Sequence, residues 1–300
     1  MRTGAVYGLV VLATVFWGAN FVLAGPVMSG LPPLWAAALR FLLGTGVMFL
    51  LSGWRGEALV ELGRRHAGVY LMLGVVGIGA FNLLFFYALK STSPANASLI
   101  MATNPLVTTL IAALLLRERP SGQQVAALPV ALAGVVVVIS GGNLQHLREL
   151  NVAHGDLLML AANLFWALYN VLSRRFMPRT GSAVANTTLV MAAGAAVLLV
   201  AALTEGGHLT AMPGTTALAA LLVMALAGTV LAYLFWNTGI ACLGAGRTSL
   251  FLNLVPVFAM LINSADGTLP THVQLLGGAI VISGVTLAMV RLRRSLPTST

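Results

Sequence analysis

The stretch FWGANF at residues 16–21 sets an indole and an amide inside an apolar run. Helix positions three and four apart share a face, so Trp17, Asn20 and Phe21 lie together on one side of a helix. Three further stretches repeat the combination of aromatic ring and amide. Asn163, Trp166 and Asn170 share a face with Tyr169 alongside; Asn82 comes with Phe85 and Phe86; Tyr233 and Trp236 come with Asn237. Amides offer both donors and acceptors, and ring faces stack or hold a cation. The chemistry within reach is non-covalent: a cavity that grips a zwitterion with an apolar side chain. The competing reading is helix glue, with amides bonded across helices and rings in an interfacial belt. Trp17 and Trp166 lie several residues inside their runs, which weakens the belt reading. Four related faces together favour a cavity.

Other polar groups stand in apolar surroundings. Arg40, about seven residues into its run, is the one clearly embedded charge. A charge inside a membrane is costly and marks a functional position. Arg40 either attracts a substrate carboxylate near the outer mouth or reaches out to the headgroups, and both readings stay open. Pro105 and Pro256 interrupt two runs and free backbone carbonyls, as a hinge, a binding region or a tolerated kink. Asn96, Ser98, Thr103 and Asn104 surround the first; Ser249 and Asn253 surround the second.

The elements that must position these groups follow from composition. The 300 residues are 59% hydrophobic and 8% charged, against roughly 25% charged in soluble domains. The chain therefore reads as an all-α polytopic membrane protein. A crossing needs about 20 apolar residues, and ten runs qualify: approximately 5–24, 33–52, 68–89, 95–116, 122–140, 156–172, 183–203, 215–242, 247–264 and 272–290. The first is read as a retained helix, not a signal peptide, because of its length and because a related segment recurs mid-chain. The net charge of +9 does not indicate nucleic acid, since the basic residues fall singly or in twos and threes between runs. They report orientation instead. With the N-terminus inside, 13 of the 16 lie in cytoplasmic segments, only Lys90 and Arg148 lie outside, and Arg40 is embedded. Cys242 is the single cysteine, which excludes an intramolecular disulfide and a cysteine-rich metal site. No cofactor or metal is expected.

The chain also repeats itself. FWGANFVL at 16–23 aligns with FWALYNVL at 165–172, QQVAALPVALAGVVV near 123–137 with VQLLGGAIVISGVTL near 273–287, and TNPLVTTLI at 103–111 with LVPVFAMLI at 254–262. The offsets are nearly equal, so residues 1–147 and 148–300 are two copies of a five-helix unit. Five is odd, so the copies enter the membrane in opposite directions. Inverted repeats place a site at their interface near the bilayer midplane. Asn20 aligns with Tyr169 and Gly18 with Ala167, so the pocket is expected to be lopsided. The glycines at 74, 77, 79, 277, 278 and 284 allow close helix packing, internally or at a dimer face. A monomer or weak homodimer is expected.

These features carry a resemblance. FWGANF, the stretch 87–138 (YALKSTSPANASLIMATNPLVTTLIAALLLRERPSGQQVAALPVALAGVVVV) and its echo at 238–290 make nearly the whole chain similar to the drug/metabolite transporter superfamily, EamA type. It most resembles the YddG-type aromatic amino-acid exporters. The resemblance implies a bacterial inner-membrane exporter of neutral, mainly aromatic or hydrophobic, amino acids. One departure stands out: the family's acid after the fourth helix is Glu118, whereas Thr268 occupies the aligned place after the ninth, with Asp266 nearby.

No acid or histidine lies deep in an apolar run. Proton-coupled carriers rely on such groups, so facilitated or potential-driven export is expected, with a proton-coupled drug/metabolite antiporter as the alternative. An ATP-driven machine would need a G-x-x-x-x-G-K-[ST] loop. An intramembrane enzyme would need a G-x-S-x-G, an H-E-x-x-H or a carboxylate pair, and a receptor would usually carry an output domain. None is present in the sequence.

Overall fold

A computed structural model of the protein describes residues 3–92, 94–117, 121–139, 154–205, 213–264 and 271–289. The expectations that rest on Arg2, Glu118, Arg119, Arg148, Asp266, Thr268, Arg291, Arg293 and Arg294 lie outside these residues. Within them the chain is helical, with no strand. In order come α1 (Thr3–Gly30), α2 (Pro33–Trp54), α3 (Leu59–Ala88), α4 (Pro94–Met101), α5 (Asn104–Leu115), α6 (Gly122–Ile139), α7 (His154–Phe176), α8 (Ala183–Thr204), α9 (Thr215–Leu243), α10 (Ala245–Ser264) and α11 (His272–Met289). Seven are long and apolar enough to cross a membrane: α1, α2, α3, α7, α8, α9 and α10. An apolar backbone in lipid must satisfy its own hydrogen bonds, which makes a helix the default for such runs.

The helices differ from the apolar runs where local chemistry intervenes. α3 begins at Leu59, well before the run at 68, because its first turns are amphipathic: Val60, Glu61, Arg64 and Arg65 face outward or partly so while Tyr70 and Leu73 are buried. Helix formation does not stop where hydropathy falls, and a bend at His66 (φ −125°, ψ 25°) marks the join. The fourth run is broken between α4 and α5. Pro105 at the start of α5 cannot donate, and the preceding turn closes through Thr103 Oγ1, which donates to the Ile100 carbonyl at 2.7 Å. In α10 the turn before Pro256 tightens to a 3₁₀ form over Leu250–Leu254. Both prolines thus mark departures from α geometry. Two more departures fall in α3 and α9, which widen to π-helical turns over Val75–Ala80 and Leu226–Leu231.

The principal packing pairs join the first half of the chain to the second. α2 lies on α8, α6 on α11, α1 on α9 and α10, and α7 on α3 and α5. Small residues set the closest approaches. A Cβ on Gly74 of α3 would lie 2.6 Å from the Ala193 Cβ and 2.7 Å from the Gly194 amide of α8. Gly77 and Gly79 likewise face Tyr169 and Val197, so these three glycines serve internal packing. Across the α2–α8 seam, the hydroxyls of Ser52 and Thr188 share a hydrogen bond of 2.8 Å.

Candidate functional site

The two FW stretches meet at the centre. α1 and α7 carry Trp17 and Trp166, whose rings lie 5.2 Å apart edge to face at 89°. Tyr233 of α9 closes the group, 6.0 Å from Trp17 and 5.6 Å from Trp166. These are the separations of favourable aromatic pairs, and no gap separates the rings.

The π turns place this cluster. A widened turn rotates the side chains that follow it and offsets those before it. In α9 it sets Gly228 against α1, where an added Cβ would fall 2.1 Å from Asn20 Oδ1. The bare carbonyl of Gly228 accepts from Trp17 Nε1 at 3.0 Å and from Asn20 Nδ2 at 3.5 Å. In α3 the π turn sets Gly77 against α7, where an added Cβ would fall 2.1 Å from Tyr169 Cδ2. The Gly77 carbonyl accepts from the Tyr233 hydroxyl at 3.4 Å. Asn20 and Tyr169 are thus used alike, each pressed against a π-turn glycine of the other half.

Against the rings lies a cavity of about 40 Å³, walled by Trp17, Asn20, Phe21, Arg40, Phe81, Asn82, Phe85, Met101, Trp166, Tyr233, Leu252 and Val255. Eight of the residues singled out in the sequence are in this wall. Small-molecule sites run about 300–1,000 Å³, so in this conformation the rings nearly fill the space. Reading the sequence missed Phe81, Met101, Leu252 and Val255; the spacing of Phe81 with Phe85 was the one available signal. Phe86, a candidate, is fully buried behind the wall with its ring 5.5 Å from the Arg40 guanidinium carbon.

Arg40 belongs to the centre and not to the headgroups. It is 4% exposed, its Nη2 donates to Asn82 Oδ1, and its guanidinium also lies 4.8 Å from the Phe41 centroid. Asn82 is fixed in turn by donating from Nδ2 to the Ile78 carbonyl at 2.8 Å. Arg40 Nε and Trp166 Nε1 are buried without a hydrogen-bond partner. The equivalent donor on Trp17 is satisfied by Gly228, so the two walls differ in chemistry as well as in shape.

The other candidates form a layer beside the cavity. Trp236 Nε1 donates to Asn170 Oδ1 at 2.8 Å, and Asn170 Nδ2 to Asn104 Oδ1 at 3.3 Å. Asn104 Nδ2 donates to Asn163 Oδ1 at 2.7 Å, and Asn163 Nδ2 to Thr103 Oγ1 at 2.7 Å. This chain ties α5, α7 and α9 across the break at Pro105. For Asn104, Asn163 and Asn170 the helix-glue geometry is the one present. Tyr169 Oη donates to Asn237 Oδ1 at 2.7 Å, and Asn237 Nδ2 to Thr187 Oγ1 at 3.1 Å. Asn253 is fully buried with neither amide atom paired. Asn96 is on α4, and its side chain lies outside the described residues.

A second cavity, of about 320 Å³, opens at the end of α7, between it and the adjoining ends of α8 and α9. Ser173, Arg174, Arg179, Asn186, Thr187 and Asn237 are among its lining residues. The Tyr169–Asn237 pair lies between the two cavities: Tyr169 stacks on Trp166 at 5.2 Å, while Asn237 lines the larger space. Among the described residues no group of three or more His, Cys, Asp or Glu could hold a metal.

Comparison with known proteins places this architecture. The EamA-like transporter family matches residues 4–140 and again 153–290. YyaM of Bacillus subtilis (strain 168), named an uncharacterized transporter, is 38% identical over 285 residues, covering 94% of this chain and 93% of its own. A protein of Salmonella typhimurium (strain LT2), named a probable amino-acid metabolite efflux pump, is 30% identical over 302 residues and covers 96% of both chains. One of Streptantibioticus cattleyicolor, named a probable terminal-alkyne amino-acid exporter, is 26% identical over 94% of this chain and 92% of its own. A crystal structure at 24% identity shares the fold, with a TM-score of 0.75 over 96% of this chain and 97% of that one.

Proposed function

We propose that this chain, which belongs to the EamA-like transporter family, moves small neutral metabolites, foremost aromatic or hydrophobic amino acids, out of the cell by alternating access. The observation that carries the reading is the cavity against the Trp17–Trp166 pair, walled by rings from both halves of the chain and by the amides of Asn20 and Asn82 from the first. Rings bury an apolar side chain, and the polar groups fix its backbone end. The names of the efflux pump and the amino-acid exporter among the relatives favour the same substrate class.

In this reading residues 1–147 and 148–300 are inverted five-helix repeats and the chain crosses the membrane ten times. The seven long helices supply seven crossings; α4 with α5, α6 and α11 supply the rest. The cross-half pairing of α1 with α9 and of α7 with α3 is the exchange a two-fold relation requires, as is the double family match. Both termini lie in the cytoplasm of a bacterial inner membrane, which puts the 320 Å³ cavity at the inner face. The Tyr169–Asn237 bond then closes the path inward, and the packed rings leave the centre occluded. Transport is facilitated or driven by the membrane potential, because the described acids Glu57, Glu61, Asp156 and Glu205 sit at helix ends.

Counterflow in liposomes with each of the 20 amino acids tests the reading. Aromatic and large apolar ones should exchange, and Trp17→Ala or Trp166→Ala should slow them at least tenfold. Unchanged exchange in both variants would remove the cavity from the pathway.

A further inference from the structure

The central cavity is lined by a positive charge without a counter-ion and by two residues that each carry a donor without a partner. Arg40 is 4% exposed, and the one ion pair among the described residues joins Arg55 to Glu57. A buried cation is retained only when something offsets its desolvation. Asn82 offsets part of it: its carbonyl oxygen accepts from Arg40 Nη2, while its amide nitrogen is spent on the Ile78 carbonyl. That contact aims the guanidinium fork but leaves its charge intact. Arg40 Nε has no partner. Neither has Trp166 Nε1, a donor that cannot accept, on a ring 2% exposed. Both residues line the same 40 Å³ space, which has room for roughly three waters, and the two nitrogens themselves are closed off from it until the rings part. The space is thus the size of a polar head group and not of a whole substrate.

We propose that this space is a carboxylate subsite: the substrate's carboxylate accepts from Arg40 and from Trp166 Nε1, and its neutralising charge is the recognition that admits it. The subsite rests on the transport reading above and deepens it: what the substrate must carry is one carboxylate, with or without an ammonium. A planar guanidinium matches a carboxylate in two-point geometry, and a single cation neutralises a single anion. The rest of the wall is aromatic and aliphatic, so the apolar body of the substrate extends past Trp17 and Phe85 as the rings part. No acidic side chain lines the space, so an α-ammonium finds only neutral oxygens and ring faces there. The carboxylate is therefore required and the ammonium dispensable. The asymmetry between the walls follows: Trp17 Nε1 is occupied by Gly228 and serves structure, while Trp166 Nε1 serves the ligand.

The test measures exchange of labelled L-phenylalanine in proteoliposomes against unlabelled L-phenylalanine, 3-phenylpropionate, L-phenylalaninamide and phenethylamine. With the wild-type chain, phenylalanine and 3-phenylpropionate should compete, and the amide and amine should be weaker by about tenfold or more, the worth of a charged hydrogen bond. Arg40→Gln should raise the half-saturating concentration of the two acids by at least tenfold and erase their advantage over the amide. It should leave the thermal midpoint in detergent unchanged or higher, since an unpaired buried charge is gone; a merely structural arginine would lower it. Arg40→Lys should retain part of the preference. Trp166→Phe, which keeps the ring and removes the donor, should weaken the acids several-fold and leave the amide alone. If phenethylamine competes as well as phenylalanine, or Arg40→Gln keeps wild-type half-saturation, the subsite is overturned while aromatic transport stands. If none of the four exchanges or competes with the wild-type chain, the transport reading fails and the subsite with it.

Discussion

Replacing Gly77 by alanine adds one methyl group where the π turn of α3 meets α7. The new Cβ would lie 2.1 Å from Tyr169 Cδ2 and 2.3 Å from Cγ, whereas carbon atoms rest about 3.5–4.0 Å apart. The ring or the helices must therefore move by more than about 1 Å. Tyr169 has little freedom to yield: it is fully buried, stacked on Trp166 and held by its hydroxyl to Asn237. Overpacking of this kind costs about 1–3 kcal/mol, and losing the Tyr169–Asn237 bond about 0.6–1.7 kcal/mol more in a membrane. Alanine recovers about 0.5–1 kcal/mol of helix preference over glycine. The expected net loss is about 2–3 kcal/mol, read by reversible unfolding with SDS in mixed micelles. Gly46→Ala is the control, because a Cβ there meets nothing within 4 Å; it should be neutral or slightly stabilising. Should the two variants agree within about 0.5 kcal/mol, the close approach of Gly77 to Tyr169 is not a feature of the folded protein.

Three further outcomes separate the roles assigned above. Asn104→Leu orphans Thr108, Asn163 and Asn170, which all bond to that amide, and should cost about 2–4 kcal/mol. Asn253→Leu removes an amide with no partner and should cost nothing or stabilise; equal losses at the two sites would refute the glue assignment. For topology, Arg55→Cys and Lys90→Cys are made separately in a Cys242→Ser background. An impermeant maleimide should label the second in intact cells and the first only after permeabilisation, and the reverse pattern would invert the orientation. For coupling, an imposed pH gradient should not concentrate substrate in liposomes held at zero potential. Accumulation above equilibrium would bring back the proton antiporter.

How much of this was legible in the sequence depends on the range of the physics involved. Membrane crossings are decided locally: about 20 apolar residues in a row are readable without knowing what they touch. The pairing of FWGANF with FWALYN is equally a matter of counting along the chain. It set Trp17 and Trp166 at equivalent places in the two stretches, and their rings lie 5.2 Å apart. The start of α3 at Leu59 was hidden because an amphipathic turn at a membrane edge has no apolar run to mark it.

Hydrogen-bond partners are decided at a distance. Asn20, Asn82, Asn104 and Asn170 look alike in the sequence, yet Asn20 and Asn82 line the cavity while Asn104 and Asn170 bind to each other. What separates them is which helix arrives opposite, set by packing between residues 42 to 208 positions apart. The two widened turns, at Val75–Ala80 and Leu226–Leu231, had no single-residue signature, though they aim Tyr233 and Asn82. The sequence alone determined a membrane-spanning helical chain in which rings and amides recur together along four apolar runs. Only the tertiary structure decided which of those groups are satisfied by the protein. Arg40 Nε and Trp166 Nε1 are not, because a donor's satisfaction depends on an acceptor brought within about 3 Å by another part of the chain.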